Sequence, residues 1–70
     1  MKISARNQLK GSVVQIKEGA VNGIVVLEIK GGDRISATIS MDAIKELNLQ
    51  PGKEVYAIIK ATSVMIGVAE

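Results

Sequence analysis

Two short stretches, one at each end of the chain, contain the residue types that bind an oxyanion. Residues 3–7 read ISARN and residues 59–62 read IKAT, so each stretch places one cation beside small residues. Their donors are a planar guanidinium, a compact ammonium, a hydroxyl and backbone amides that small side chains leave accessible. Together they predict a clamp for a small tetrahedral dianion, formed by Arg6, Lys60, Ser4, Ala5 and Ala61. The alternative is that both stretches are solvated surface segments.

Ser40 begins a second candidate region. Apolar residues at helical spacing follow it, so Ser40 is predicted to be a helix N-cap, with Asp42 in the first turn. The same turn presents backbone N–H groups and the positive end of the helix dipole, which favour an anion. Ser40 and the amides of the turn, including that of Ala43, are therefore candidate ligands, provided that Asp42 faces solvent.

A third candidate is the small-residue segment between the first two predicted strands. A turn is the simpler interpretation, because Asn and Gly readily supply a positive φ. The segment could also form a backbone nest that binds a second anion. This possible second site consists of Gly19, Ala20, Val21 and Asn22.

Catalysis and metal-cation binding find little support in the sequence. Histidine and cysteine are absent, and the seven carboxylates form no obvious pair for acid–base chemistry. No Gly-rich phosphate loop is present. We therefore expect a binding protein rather than an enzyme, with no site for a bare metal cation.

Size and composition indicate one small domain covering residues 1–70. Hydrophobic residues make up 47% of the chain and aromatic residues 1%, which favours an aliphatic β-rich core. Because a chain this short is marginally stable alone and has no cysteine, we expect oligomerisation or unusually good packing. No signal peptide or membrane span is recognisable, so we expect a cytoplasmic protein with no membrane partner.

The periodicity predicts five strands and one helix. Two adjacent valines at a change of parity, Val13 and Val14, indicate a bulge in the first strand. A short helix lies between the third and fourth strands, and Asn48 is placed to end it in a left-handed conformation. The last strand would contain Val64, Ile66 and Val68. This order is typical of an all-β, OB-like five-stranded Greek-key barrel.

The second predicted strand is apolar on part of both faces. Val25, Leu27 and Ile29 share the face expected to line the core, while Ile24 and Val26 lie on the other. An apolar patch on the outside of a small domain needs a cover. A second subunit is the simplest one.

The chain resembles the molbindins, which are stand-alone Mop domains also called molybdenum-pterin-binding proteins. The resemblance rests on SARNQLKG at residues 4–11, GAVN at residues 19–22 and KAT at residues 60–62, and it covers nearly the whole chain. It implies a protein that binds and stores molybdate, or tungstate, in the cytoplasm. It also implies a homohexamer built as a trimer of dimers.

The resemblance further implies a pocket shared between subunits. One chain would contribute Ser4, Ala5, Arg6, Lys60 and Ala61, and another would contribute Ser40 and the following helix turn. Ala43 stands where some relatives have a second hydroxyl, so only its amide is available. A second class of site would use the backbone of residues 19–22.

Two other functions remain open at this point. The first is a nucleic-acid-binding OB domain, although Tyr56 is the only aromatic residue and a net charge of +2 is only mildly basic. The second is a module that docks on a larger molybdate-dependent protein and uses the anion as a signal. The resemblance favours molybdate storage without nucleic acid as a partner.

Overall fold

A single curled antiparallel sheet and one short helix make up the fold. The computed structural model describes residues 1–69. The sheet order is β3-β2-β1-β4. In chain order the elements are β1 (Asn7–Lys17), β2 (Asn22–Ile29), β3 (Arg34–Ser40), α1 (Met41–Glu46), β4 (Glu54–Ile59) and a 3-10 helix (Ala61–Ser63). In these residues no helix has the length and apolar character needed to cross a bilayer.

The predicted bulge in β1 is confirmed. Val13 pairs with Leu27 and Gln15 pairs with Val26, so Val14 is the extra residue. A bulge bends its strand and increases the local twist. The bend allows the long β1 to pair with β2 along most of its length and with β4 over residues 7–12 only.

The core lies between the concave face of the sheet and α1. Val13, Val25 and Ile44 form a buried cluster, so β1, β2 and the helix each contribute one member. The partly buried residues that pack around this cluster are Ile16, Ile39, Met41, Leu49 and Val55. This is a small core for a chain of 70 residues.

Both ends of α1 follow the sequence prediction. The Ser40 side chain accepts a hydrogen bond from the Ala43 amide at 3.0 Å, which is N-cap geometry. Asn48, with φ at 52°, takes the left-handed conformation just beyond the helix. The Lys53 ammonium donates to the carbonyl oxygens of Leu47 and Asn48. A cation there suits the negative end of the helix dipole.

The OB-like class and the position of the helix between β3 and β4 are confirmed, but the fifth strand is not formed within this chain. Residues 64–69 pair with no strand among the residues that the structure describes. The alternation of Val64, Ile66 and Val68 agrees with the extended backbone of Val64, which has φ at −91° and ψ at 129°. It could not show whether a sheet edge of the same chain lies within reach.

The uneven burial of β2 also follows the prediction. Val25 and Leu27 are buried in the concave face, whereas Ile24 on the opposite face is exposed. Val26 is half-buried. The outer face of β2 therefore retains apolar area that the single chain leaves uncovered.

We predict that Gly11→Ala destabilises the protein. A Cβ atom at this position would lie 2.5 Å from the Glu28 carbonyl oxygen and 3.0 Å from its carbonyl carbon. Both atoms belong to the neighbouring strand, so the sheet itself would have to shift, and we expect a loss of about 1–3 kcal/mol in the free energy of unfolding. Urea denaturation at fixed protein concentration measures this loss.

The matched control is Ser12→Ala, at the next, exposed position of β1. It should change the free energy of unfolding by less than about 0.5 kcal/mol. Equal stabilities for the two variants would show that the close approach of the strands at Gly11 is not a constraint.

Candidate functional site

The sheet brings Arg6 and Lys60 to the same place. Asn7 and Ile59 form the last pair of the β1–β4 ladder. Because the strands are antiparallel, the residue before Asn7 and the residue after Ile59 leave the ladder side by side. These residues are Arg6 and Lys60, so two cations 54 positions apart in the chain flank the same end of the β1–β4 ladder.

Local hydrogen bonds shape the backbone on both sides of this meeting point. The Gln8 side-chain amide donates to the Ala5 carbonyl oxygen at 2.8 Å, which holds the bend before β1. After β4, the Ser63 amide donates to the Lys60 carbonyl oxygen at 2.9 Å and begins the 3-10 helix. Both segments turn immediately at the ladder end, so their small residues stay close to the two cations.

The two cations are not neutralised by carboxylates in this part of the structure. Among residues 1–69 the ion pairs are Lys10–Glu54 at 3.3 Å and Arg34–Glu28 at 3.4 Å. Arg6 and Lys60 take part in neither, and both side chains are exposed. Among the described residues no carboxylate pairs with either charge, so both charges can interact with an external anion.

Ser40 and Ala43 lie at the opposite end of the sheet. Ser40 pairs with Asn22 at the start of β2, and nearby Ile24 pairs with Lys17 at the end of β1. Because β1 has 11 residues, its two ends are about 30 Å apart. One chain therefore cannot place Ser40 beside Arg6 and Lys60.

The hydrogen bond of the N-cap determines which donors of Ser40 and Ala43 remain available for a ligand. The Ala43 amide is already donated to the Ser40 oxygen within the chain. The Ser40 hydroxyl keeps its own proton and can still donate it to another group. The Asp42 side chain is exposed, which meets the condition set by the sequence for an anion near this turn.

Residues 19–22 lie near the Ser40 end of the sheet. A depression of about 310 Å³ is lined by Lys17, Glu18, Gly19, Asn22, Gly23, Ile24 and Thr38. A Cβ atom at Gly19 would collide with the carbonyl oxygen of Asn22, so this turn requires glycine. The Val21 carbonyl oxygen accepts from the Met41 amide at 2.8 Å, which ties the turn to the start of α1.

Two further depressions were not anticipated from the sequence. One, of about 830 Å³, lies between the end of α1 and the turn before β4, where Lys45 and Lys53 contribute to its wall. The other, of about 360 Å³, borders the core and includes Ile16, Met41, Ile44 and Leu49 in its lining. The sequence predicts a turn at residues 48–52, beside the first depression, but it gives no sign that either depression exists.

The residues that the structure describes contain no metal-cation site. Across residues 1–69, no three His, Cys, Asp or Glu side chains converge. The Arg6–Lys60 end carries two positive charges, which suit an anion rather than a metal cation.

Comparison with known proteins identifies relatives along the whole chain. The TOBE domain family matches residues 3–66. A Haemophilus influenzae protein, described as a probable molybdenum-pterin-binding protein, is 68% identical over 68 residues, covering 97% of this chain and 99% of that protein. Molybdenum-pterin-binding protein 3 of Clostridium pasteurianum is 56% identical over 66 residues, covering 94% and 97% respectively.

The solved structures that resemble this chain include proteins of the same kind as these relatives. MopII from Clostridium pasteurianum in an apo form superposes with a TM-score of 0.91 at 52% identity, over 96% of this chain and 100% of that chain. The cytoplasmic molybdate-binding protein ModG, in a form with molybdate bound, gives a TM-score of 0.93 at 43% identity. That match covers 99% of this chain and 49% of ModG, so ModG is about twice as long.

We predict that Ser40→Ala lowers the free energy of unfolding by about 1 kcal/mol, because it removes the acceptor for the Ala43 amide. Ser40→Asp keeps an acceptor in the same place and should retain the stability, since Asp caps as well as Ser. Thermal unfolding of the two variants at equal protein concentration separates these outcomes. If Ser40→Asp were as unstable as Ser40→Ala, capping would not be the stabilising role of this residue.

Proposed function

The chain belongs to the TOBE domain family, among its molybdenum-pterin-binding (Mop) members, and on this premise we propose that it binds and stores molybdate in pockets formed between subunits. The observation that carries the proposal is the convergence of Arg6 and Lys60 at the end of the β1–β4 ladder. The relatives reported above are named as molybdenum-pterin-binding or molybdate-binding proteins. The function is therefore that of a binding protein.

The donor set fits molybdate chemically. At neutral pH molybdate is a fully deprotonated tetrahedral dianion, so its four oxygens accept hydrogen bonds and none donates. Arg6, Lys60, Ser4 and the amides around Ala5 and Ala61 are all donors. Hydrogen phosphate carries a proton for which the Ser4 hydroxyl is the only acceptor in this donor set, and it is disfavoured for that reason. Tungstate has the same charge and shape and is expected to bind as well.

The proposed pocket is completed by a second chain. Arg6 and Lys60 lie about 30 Å from Ser40 within one chain, as the length of β1 requires. In a two-fold dimer with opposed strand directions, the Arg6 end of one copy meets the Ser40 end of the other. The arrangement repeats at the other end, so each dimer forms two equivalent pockets. Ser40 and the turn containing Ala43 would then form the second wall.

We further propose that three of these dimers form a hexamer, a trimer of dimers. We also propose that the protein is cytoplasmic. The uncovered apolar residue Ile24, on the outer face of β2, supports further contacts between copies. Where three copies converge, the backbone of residues 19–22 is the candidate for the second class of anion site. The depression there is lined by Lys17 and Asn22, which supply donors, and by Glu18, whose carboxylate would have to turn outward.

The alternative functions have less support. A single-strand-binding OB domain uses several aromatic side chains to stack bases, and Tyr56 is the only aromatic residue of the chain. A docking module that uses molybdate as a signal would need a partner surface distinct from the anion site. The relatives named for molybdenum or molybdate binding favour binding and storage.

We predict that Arg6→Ala weakens molybdate binding by roughly 10- to 100-fold, because a charge-assisted hydrogen bond contributes about 1.5–3 kcal/mol. Isothermal titration with molybdate measures the loss. The control is Arg34→Ala, which removes the only other arginine. Arg34 pairs with Glu28 on the exposed surface and should leave the affinity unchanged. Equal affinities for the two variants would contradict the proposed pocket.

A second prediction concerns the choice of anion. A ligand that binds only the folded assembly, at a concentration 100 times its Kd, adds about 2.7 kcal/mol of stability. For a domain of this size that corresponds to a rise in Tm of roughly 10–20 °C. We expect the rise with molybdate and tungstate and a smaller rise with hydrogen phosphate at the same concentration, whereas sulfate, which has the same charge and no proton, tests whether anion size matters. Four equal responses would show that the site recognises charge alone.

A further inference from the structure

Gly23, a buried residue of β2, lies in contact with the first turn of α1. A Cβ atom at this position would lie 2.7 Å from Ile44 Cδ1, 2.9 Å from Met41 Sδ and 3.0 Å from the Lys17 carbonyl oxygen. Atoms in unstrained contact prefer about 3.5–4.0 Å. The φ angle of Gly23 is not positive, so its backbone conformation would accept other residues. The space beneath the helix is therefore what requires glycine here.

The two helix residues that contact Gly23 flank the residues that we propose as the second wall of the anion pocket. Met41 directly follows Ser40, and Ile44 directly follows Ala43. The Ser40 oxygen also accepts from the Ala43 amide at 3.0 Å, which joins the two wall residues to each other. The position of this turn is thus set by the two side chains that rest on Gly23.

A side chain at position 23 would displace the helix rather than the sheet. Gly23 pairs with Ile39 of β3, and the next residue, Ile24, pairs with Lys17 of β1, so β2 is held on both sides. On the β1 side the obstacle is the Lys17 carbonyl oxygen, which belongs to the backbone. Ile44 is 6% exposed and belongs to the core cluster, so close packing leaves its side chain little room to rotate. The first turn of α1 is the element that yields.

The expected displacement is large on the scale of a binding site. Restoring ordinary contact with Ile44 from 2.7 Å requires a shift of roughly 0.8 Å or more. The groups of a binding site must be held within about 0.5 Å of their productive positions. Ser40 is the N-cap of α1, so its hydroxyl moves with the turn.

We propose that Gly23 is a positioning residue for the anion pocket. Its missing side chain sets the distance of α1 from the sheet, and through the helix it sets the position of Ser40 and of the turn containing Ala43. Glycine weakens a strand and often marks a close approach of other atoms, and this contact is the reason for it here. The inference rests on the proposed function, because it takes the turn to be a wall of the pocket.

The first test is isothermal titration of Gly23→Ala with molybdate. We expect the affinity to fall by about 10-fold or more, as for the loss of one hydrogen bond to the ligand. The matched control is Leu27→Val, which alters a residue of the same strand that is 3% exposed but lies outside the cluster containing Ile44. Both variants should be less stable, but only Gly23→Ala should bind molybdate more weakly. Equal affinities of the two folded variants would overturn the positioning role.

The second test is rescue by a change on the helix side. Ile44→Val removes the Cδ1 atom that lies nearest to the added Cβ, and alone it should leave the affinity unchanged. Combined with Gly23→Ala, it should recover most of the lost affinity, whereas Leu27→Val in the same combination should recover none. Losses that simply add would overturn the proposal. If Gly23→Ala alone does not fold, the folded double variant decides, because weak binding by it contradicts the role of the contact.

A third measurement needs no ligand and keeps the two proposals separate. Hydrogen exchange followed by NMR should be faster at the Ala43 amide in Gly23→Ala, because the bond to Ser40 is disturbed, and should return toward normal in the double variant. Unchanged exchange would show that the helix does not move, which overturns the inference. If the unaltered protein binds no molybdate, the proposed function fails and the role in anion binding fails with it. If it binds and Gly23→Ala binds equally well, only the positioning role fails.

Discussion

The register of the β1–β4 ladder is the constraint on which the candidate site depends. Six residue pairs, from Ser12 with Glu54 to Asn7 with Ile59, set where the two strands part. A shift of one residue would turn every side chain of β4 to the other face and would move Lys60 away from Arg6. The core packing of Val55 enforces the register, because a slipped strand would place Val55 in solvent. Hydrophobic packing in the sheet therefore fixes the spacing of two surface charges.

The length of β1 separates the other candidate ligands, Ser40 and Ala43, from Arg6 and Lys60. Its 11 residues separate the Arg6 end from the Ser40 end by more than a small anion can bridge. The proposed pocket, which combines the Arg6 end with the Ser40 end, therefore requires a second copy of the chain. The proposed pocket would therefore favour an arrangement of two chains with opposed strand directions.

Much of the fold could be predicted from the sequence because its signals are local. The parity change at Val13 and Val14 marked the bulge, and Ser40 and Asn48 marked the two ends of the helix region. The prediction of a fifth strand was wrong for a single chain, since alternation of apolar residues indicates an extended segment but carries no information about the strand that it pairs with. The residue types of the anion site were also visible, whereas the meeting of Arg6 with Lys60 depends on strand pairing. Their role as ligands stays a prediction.

The small core is the reason why we propose that assembly and ligand binding are coupled in this protein. Four hydrophobic residues, Val13, Val25, Leu27 and Ile44, are buried among the residues described, and no disulfide supports them. A domain of this size buries a modest fraction of its surface and gains little stability from its own core. Each contact between copies adds buried apolar area, and an anion that binds only the assembled form adds stability by mass action. In the proposed pocket at a subunit boundary, the free energy of binding the anion would also stabilise the assembly and so offset the low stability of the single chain.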